Sequence, residues 1–462
     1  MQWPSPSTLY TGPILAPMVR ASFPGIRALA AALGASAVYT GAIVGDSLRD
    51  VVTEVDLSNM IAKISTTRRS AGSPSCVIIS VPIQATETPG QFEPAIPLVV
   101  QLTVNEYDDV DKICSILAPW CVGIDLNLGC GAQFAVSGGR GQRLVDKAEN
   151  VIARFLKALQ QIEDSGGRRI SFSIKQRLLG SVEETVNKMC AFYKLGVNCI
   201  AVHMRRKGEE RGCTHADWGS FFQVLSGLYT WFWTVFCQGD LQLFEDALRT
   251  FHVVANGDLF SRETITDFFS LSEQYFSQLP TDIQPYLSSR YGRLTPVMLA
   301  RGAISDLSLF SFILEQRGES AKKADASVPA HISEVLSLLQ PTNEPLCYLN
   351  QAKALLQVSE ATSSHFNNYK YTVLNGIAFV RSHEIYKSNT QRLAYKYFNQ
   401  ELQTPKTYGE YRTLLNRLSS KPYSYWATLL QEQTRPSTEK ECYQPPAPSL
   451  TAPEQEERNH KC

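Results

Sequence analysis

The sequence lacks several features that would each assign it to a class. None of its eleven cysteines stands in a Cys-x-x-Cys pair. The spacing therefore outlines neither a zinc site nor a disulfide frame, and reduced thiols of an intracellular protein are expected. No stretch reaches the roughly 18 uninterrupted apolar residues of a membrane span. The aromatic run Leu228–Phe236 is too short for one and reads as a buried helix. Charge of one sign is not in excess, because Lys plus Arg and Asp plus Glu both total 44. Net charge thus selects no partner, and a basic face is expected only at local runs such as Arg168-Arg169 and Arg205-Arg206-Lys207. The first 19 residues contain neither Lys nor Arg, which argues against a mitochondrial presequence and for a cytoplasmic protein.

What is there is an ordinary globular composition, 44% hydrophobic and 19% charged over 462 residues. That length accommodates a barrel of about 250 residues plus a smaller domain. Eight short segments rich in β-branched residues can be marked, most followed by a helical pattern. They are 12–17, 37–40, 97–102, 123–127, 170–175, 199–203, 252–256 and 296–300. Helical patterns at 23–33, 148–161, 181–195 and 262–269 lie between them. Alternating units of this kind predict a parallel sheet, and eight of them predict an α/β fold of the (β/α)8 TIM-barrel type. Connectors 41–96 and 219–251 are too long to be simple and predict an extra hairpin and an elongated helix. Residues 270–295 read as a surface insertion. Past residue 320 the strand signals stop and a C-terminal all-helical domain follows. The expected division is a barrel over 1–325, helices over 326–433, and a Pro-rich disordered tail over 434–462.

A barrel presents its chemistry at the C-terminal ends of its strands. Those ends carry Ala16-Pro17-Met18, Gln101, Asn127 with Cys130, Lys175 with Arg177, His203, Asn256-Gly257-Asp258, and Ala300-Arg301-Gly302. A lone cysteine in a barrel is more often a small buried apolar residue. The setting Asn127-x-Gly-Cys130, at a polar strand tip ringed by others, reverses that reading. Gly138, Gly139 and Gly141 lack the Lys-Ser/Thr that a Walker-type phosphate loop requires. No metal site is expected.

In this order over about 290 residues, Leu15-Ala-Pro-Met-Val-Arg20, Asp125-Leu-Asn-Leu-Gly-Cys130, Lys175-Gln-Arg177, Ala201-Val-His203, Val254-Ala-Asn-Gly-Asp258 and Val297–Ala303 resemble the tRNA-dihydrouridine synthase family. The opening motif and Ser364–Tyr371 are most similar to its eukaryotic type-2 members, which act at position 20 of the D-loop. The resemblance implies an FMN- and NADPH-dependent reduction of a tRNA uridine to 5,6-dihydrouridine. Hydride from reduced FMN would reach uracil C6, and Cys130 would give C5 its proton. It implies FMN bound by Ala16, Pro17, Met18, Gln101, Lys175 and His203. Its phosphate would lie at Asn256, Gly257, Ala300, Arg301 and Gly302. Asn127 and Arg177 would meet the uracil or a neighbouring phosphate.

The expected partners are tRNA and NADPH, with no membrane, for a monomeric chain. Basic and aromatic residues interleaved from Lys370 to Lys421 suit tRNA. The sequence also departs from the family's pattern. Gly131 stands where a Pro is usual and is expected to loosen the cysteine loop. Met204 replaces a permissive residue next to His203 and is expected near the flavin. Two alternatives stay open: a catalytically degenerate paralogue that binds RNA or a ribonucleoprotein, and an FMN barrel oxidoreductase with a small-molecule substrate.

Overall fold

In the computed structural model, residues 6–67, 77–88, 90–209, 214–236, 241–285, 295–319, 335–339, 348–362, 364–382 and 388–434 are described. Thirteen strands run in chain order: β1 (Ile14–Leu15), β2 (Ala37–Tyr39), β3 (Ile43–Val44), β4 (Val51–Asp56), β5 (Ile61–Thr66), β6 (Val77–Ala85), β7 (Phe92–Pro94), β8 (Leu98–Thr103), β9 (Gly123–Asn127), β10 (Ser171–Arg177), β11 (Cys199–His203), β12 (His252–Asn256) and β13 (Met298–Leu299). Eight of them form the parallel barrel, in the order β12-β11-β10-β9-β8-β2-β1-β13. A parallel bridge between Ala255 and Val297 closes the ring, with Ala255 N–H donating to the Pro296 carbonyl at 2.9 Å.

Each strand is doubly buried because alternate residues face two different cores. Tyr10, Tyr39, Val99, Ala201, Val254 and Met298 fill the barrel interior. Ile124, Leu126, Phe172, Ile174, Ile200 and Val202 face the surrounding helices. Three of those helices start where short polar side chains cap them. Asp109 accepts from Lys112 N, Ser181 from Glu184 N, and Ser261 forms a capping box with Thr264. Helix Val182–Leu195 stops at Gly196, whose φ of 105° favours glycine.

The long connector after β2 holds more than a hairpin. Strands β4 to β7 form a four-stranded antiparallel sheet. Arg27, buried in helix Pro24–Ala32, ties it to the barrel by donating to the carbonyls of Ser22 and Ser80, each at 2.5 Å. Burial lowers the Arg27 pKa to about 9. The elongated helix is Trp218–Phe236, followed by a second, Leu241–Thr250. The expected insertion over 270–295 begins as the continuation of helix Arg262–Ser277, and residues 286–294 lie outside the described residues.

Among the described residues, five α-helices follow the barrel: Tyr348–Ala361, Phe366–Ser382, Asn389–Glu401, Tyr408–Ser419 and Tyr423–Thr434. Gln351 fastens the first to the barrel, accepting from Leu307 N at 2.7 Å and donating to the Ile304 carbonyl at 2.6 Å. The predicted tail past residue 434 lies outside the described residues. No helix among the described residues is long and apolar enough to cross a membrane.

Candidate active site

The parallel register decides which strand tips are neighbours. It pairs Gln101 with Asp125, Asn127 with Lys175, Arg177 with His203, and His203 with Asn256. Around these tips opens a cleft of about 1980 Å³. Its lining includes Ala16, Pro17, Met18, Gln101, Asn127, Cys130, Lys175, Arg177, His203, Asn256, Gly257, Ala300 and Arg301. Gly302 does not line it. That residue sits behind the rim, where a Cβ would lie 2.5 Å from the Leu259 carbonyl oxygen.

A hydrogen-bonded chain rises from the barrel floor to the cysteine. Ser173 Oγ donates to Asp125 at 2.7 Å, and Gln101 Nε2 donates to the same carboxylate at 2.8 Å. Gln101 Oε1 accepts from Asn127 Nδ2 at 3.2 Å. Asn127 Oδ1 then accepts from the backbone N–H groups of Gly129 and Cys130, at 3.1 and 3.0 Å. Each amide is oriented by the group below it, because the Asp125 carboxylate can only accept. Burial raises the Asp125 pKa to about 6, opposed by the Gln101 and Ser173 hydrogen bonds and the charge of Lys175.

The loop carrying Cys130 is held from above as well. Arg177 Nε donates to the Gly129 carbonyl at 3.0 Å, and Gln142 Nε2 to the same oxygen at 3.3 Å. Gln142 N–H donates to the Cys130 carbonyl at 3.0 Å. Gly141, at φ 60°, passes so close that a Cβ there would lie 2.5 Å from the Cys130 carbonyl oxygen. Arg140 pins the far end of the loop to Asp46 at 2.5 Å. Among the five cysteines described, four are buried and only Cys130 is partly exposed.

Across the mouth, Arg205 donates to both oxygens of Asp258 at 2.7 Å, and Arg301 approaches the same carboxylate at 3.5 Å. The Arg301 guanidinium also lies over the Phe260 ring, 4.7 Å from its centroid. Arg205 Nη1 is 3.4 Å from His203 Nε2. A guanidinium only donates, so Nε2 accepts. Trp218 Nε1 donates to the Gly257 carbonyl at 3.2 Å.

Several expectations change. Asn127 and Arg177, expected at the substrate, line the cleft and also hold the cysteine loop. Met204 is fully buried in the core rather than bordering the cleft, because strand alternation turns it away from the interior that His203 faces. Of the expected basic runs, Arg169 and Lys207 stay exposed, while the other three cations are engaged within the protein. Arg205 is buried against Asp258, Arg206 pairs with Asp217 at 2.8 Å, and Arg168 donates to the Ala118, Pro119 and Cys121 carbonyls. In the helical region Lys370 caps the Gln403 and Pro405 carbonyls, Arg412 pairs with Glu360 and Arg417 with Glu401. Tyr369, Tyr395, Tyr397, Phe398 and Tyr411 are core residues, since an all-helical bundle this small needs large side chains to fill it.

Sequence reasoning missed the Arg205–Asp258 pair, although the signal was present. His203 and Asn256 are register partners, so residues two positions beyond each meet. It also missed Tyr371, which lines the cleft from helix Phe366–Ser382 and has Arg20 5.9 Å above its ring.

A family model described as Dihydrouridine synthase (Dus) matches residues 14–267. Among curated proteins, a human tRNA-dihydrouridine(20a/20b) synthase [NAD(P)+]-like is 32% identical over 121 residues, covering 26% of this chain and 37% of that protein. The Saccharomyces cerevisiae tRNA-dihydrouridine(20a/20b) synthase is 28% identical over 111 residues, covering 24% and 29%. The Schizosaccharomyces pombe tRNA-dihydrouridine(20) synthase is 30% identical over 193 residues, covering 41% and 37%. The matched segments thus span between 29% and 37% of these relatives' own length. A solved structure of DHODH with ferulenol from Eimeria tenella covers 70% of this chain and 88% of its own at 12% identity. Its TM-score of 0.33 is too low to bear on function.

Proposed function

The chain belongs to the dihydrouridine synthase family, and from that premise we propose that it reduces a uridine in the D-loop of tRNA to 5,6-dihydrouridine, using FMN and NADPH, with Cys130 as proton donor. The observation that carries this reading is the double clasp on the Cys130 loop, by Asn127 from below and by Arg177 and Gln142 from above. A loop that only bound RNA would not need a partly exposed thiol fixed at the mouth of a barrel.

The lining suits FMN. Gln101 offers an amide, Lys175 a cation and His203 an imidazole at neighbouring strand tips. Gly257 packs closely on the opposite lip, where a Cβ would lie 3.1 Å from Ala216 Cβ and 3.4 Å from the His203 ring. By chemical type, Gln101 and the 16–18 turn match a flavin edge, Lys175 a negative charge on the reduced ring, and Arg301 a phosphate. When bound, reduced FMN supplies the hydride that C6 of the uracil accepts. The Cys130 thiol gives its proton to C5, so the base gains two hydrogens across the C5–C6 bond and the thiolate is reprotonated from solvent. The Asn127 clasp orients the thiol for that transfer. We assign the helices from residue 335 onward to holding the tRNA against this mouth.

The test is Cys130→Ala, assayed for dihydrouridine in an unmodified tRNA transcript. Loss of a general acid lowers turnover by about 10²–10⁴-fold, and flavin absorbance should be unchanged. Equal turnover by variant and parent would remove Cys130 from the reaction.

A further inference from the structure

Tyr107 is the most exposed large apolar side chain among the described residues, at 81%, and it lies on the rim of the cleft. Singly exposed apolar residues are normal on a protein surface. This one differs in how firmly its backbone is built. In the turn between β8 and helix Val110–Leu117, Asp108 accepts from Asn105 N at 2.8 Å and Asn105 Oδ1 accepts from Tyr107 N at 2.9 Å. Arg154 donates to the carbonyls of Glu106 and Asp108, at 2.8 and 2.7 Å. Lys147 donates to the Glu106 carboxylate at 2.7 Å. The Lys147 ammonium holds the Glu106 carboxyl below its usual range. Ordering a turn this thoroughly while leaving its largest side chain in water contributes nothing to the core.

We propose that the Tyr107 ring is the stacking platform for a nucleobase adjoining the reduced uridine, an inference that rests on the tRNA reading above. A uridine that reaches Cys130 must leave its stack, which strips a neighbouring base of its partner. An aromatic face carried on this braced turn of the rim replaces that partner. Exposed Arg143 and Lys207 lie along the same lining and supply charge for the flanking phosphates. Aromatic faces among cations are the pattern that holds single-stranded nucleic acid.

The experiment measures the affinity of the full chain for an unmodified tRNA transcript, in the parent, Tyr107→Ala and Tyr107→Phe. Tyr107→Ala should weaken binding roughly five- to hundredfold, with an unchanged slope against salt, because no phosphate contact is lost. Tyr107→Phe should bind as the parent does, and both variants should keep the parental melting temperature. Equal RNA affinity in Tyr107→Ala would overturn the proposal. So would a raised KM for NADPH with RNA affinity intact, which would give the ring to the dinucleotide. A parent that does not bind the transcript overturns the tRNA reading itself.

Discussion

Gln142 leans over Gly131: a Cβ at residue 131 would lie 3.1 Å from Gln142 Oε1, while the same side chain donates to the Gly129 carbonyl at 3.3 Å. The missing side chain at 131 therefore makes room for a brace on the cysteine loop. Gln142→Ala should lower kcat by roughly ten- to hundredfold, the loss typical of a displaced reacting group, without changing flavin content. Gly131→Ala should push the glutamine aside and share the defect. The double variant should be no worse than either single one, and additive losses would show that the two residues act separately.

Arg301 is the cation assigned to the FMN phosphate, and its side chain is 29% exposed beside Asp258. A charge-assisted hydrogen bond is worth about 1.5–3 kcal/mol. Arg301→Ala should thus retain FMN roughly ten- to hundredfold more weakly, read as flavin occupancy after gel filtration. Its melting curve should stay close to the parent's. Full occupancy would move the phosphate elsewhere.

Asp258 is the counter-ion of Arg205, whose side chain is only 4% exposed. Removing one partner of a buried pair strands the other charge, at a cost of about 3 kcal/mol or more. Asp258→Asn should lose that much stability in urea denaturation. Asp258→Glu, which keeps the charge, should lose less.

Burial pushes the Asp125 carboxyl from the usual carboxylate range up to about 6 in the folded state. The folded state therefore holds this proton more tightly, and stability falls as pH rises from about 4 to 6. At pH 7 the buried charge costs about 3 kcal/mol, from 1.36 kcal/mol per pKa unit. Asp125→Asn should exceed the parent in stability above pH 6, and its advantage should shrink steadily toward pH 4. A difference that does not vary with pH would mean the carboxylate titrates normally.

If the helical region grips tRNA, its exposed cations differ from its paired ones. Lys396 is exposed, whereas Arg417 is tied to Glu401. Lys396→Gln should reduce the slope of log affinity against log salt by about 1. Arg417→Gln should change the slope by less. Identical slopes for both variants and the parent would put the phosphates on another surface.

The barrel was legible in the sequence because doubly buried parallel strands must be apolar on both faces, and that composition is visible without coordinates. The strand tips were legible for the same reason, as polar residues interrupting apolar runs at Gln101, Asn127, Lys175 and His203. Hydrogen-bond partners were not, because a polar side chain at a tip can face substrate or its own loop. Only the packed structure turned Asn127 and Arg177 toward Gly129, set Gln142 against Gly131, and paired Arg205 with Asp258. The helical region shows the same division. Its helices were readable from their periodicity, but which of its cations and aromatics remained for a partner was decided by packing. Burial claimed Tyr369 and Tyr411, ion pairing claimed Arg412 and Arg417, and Tyr371 was left facing the cleft. Sequence pattern records how apolar each position is, whereas function here depends on which polar groups the tertiary fold leaves unspent.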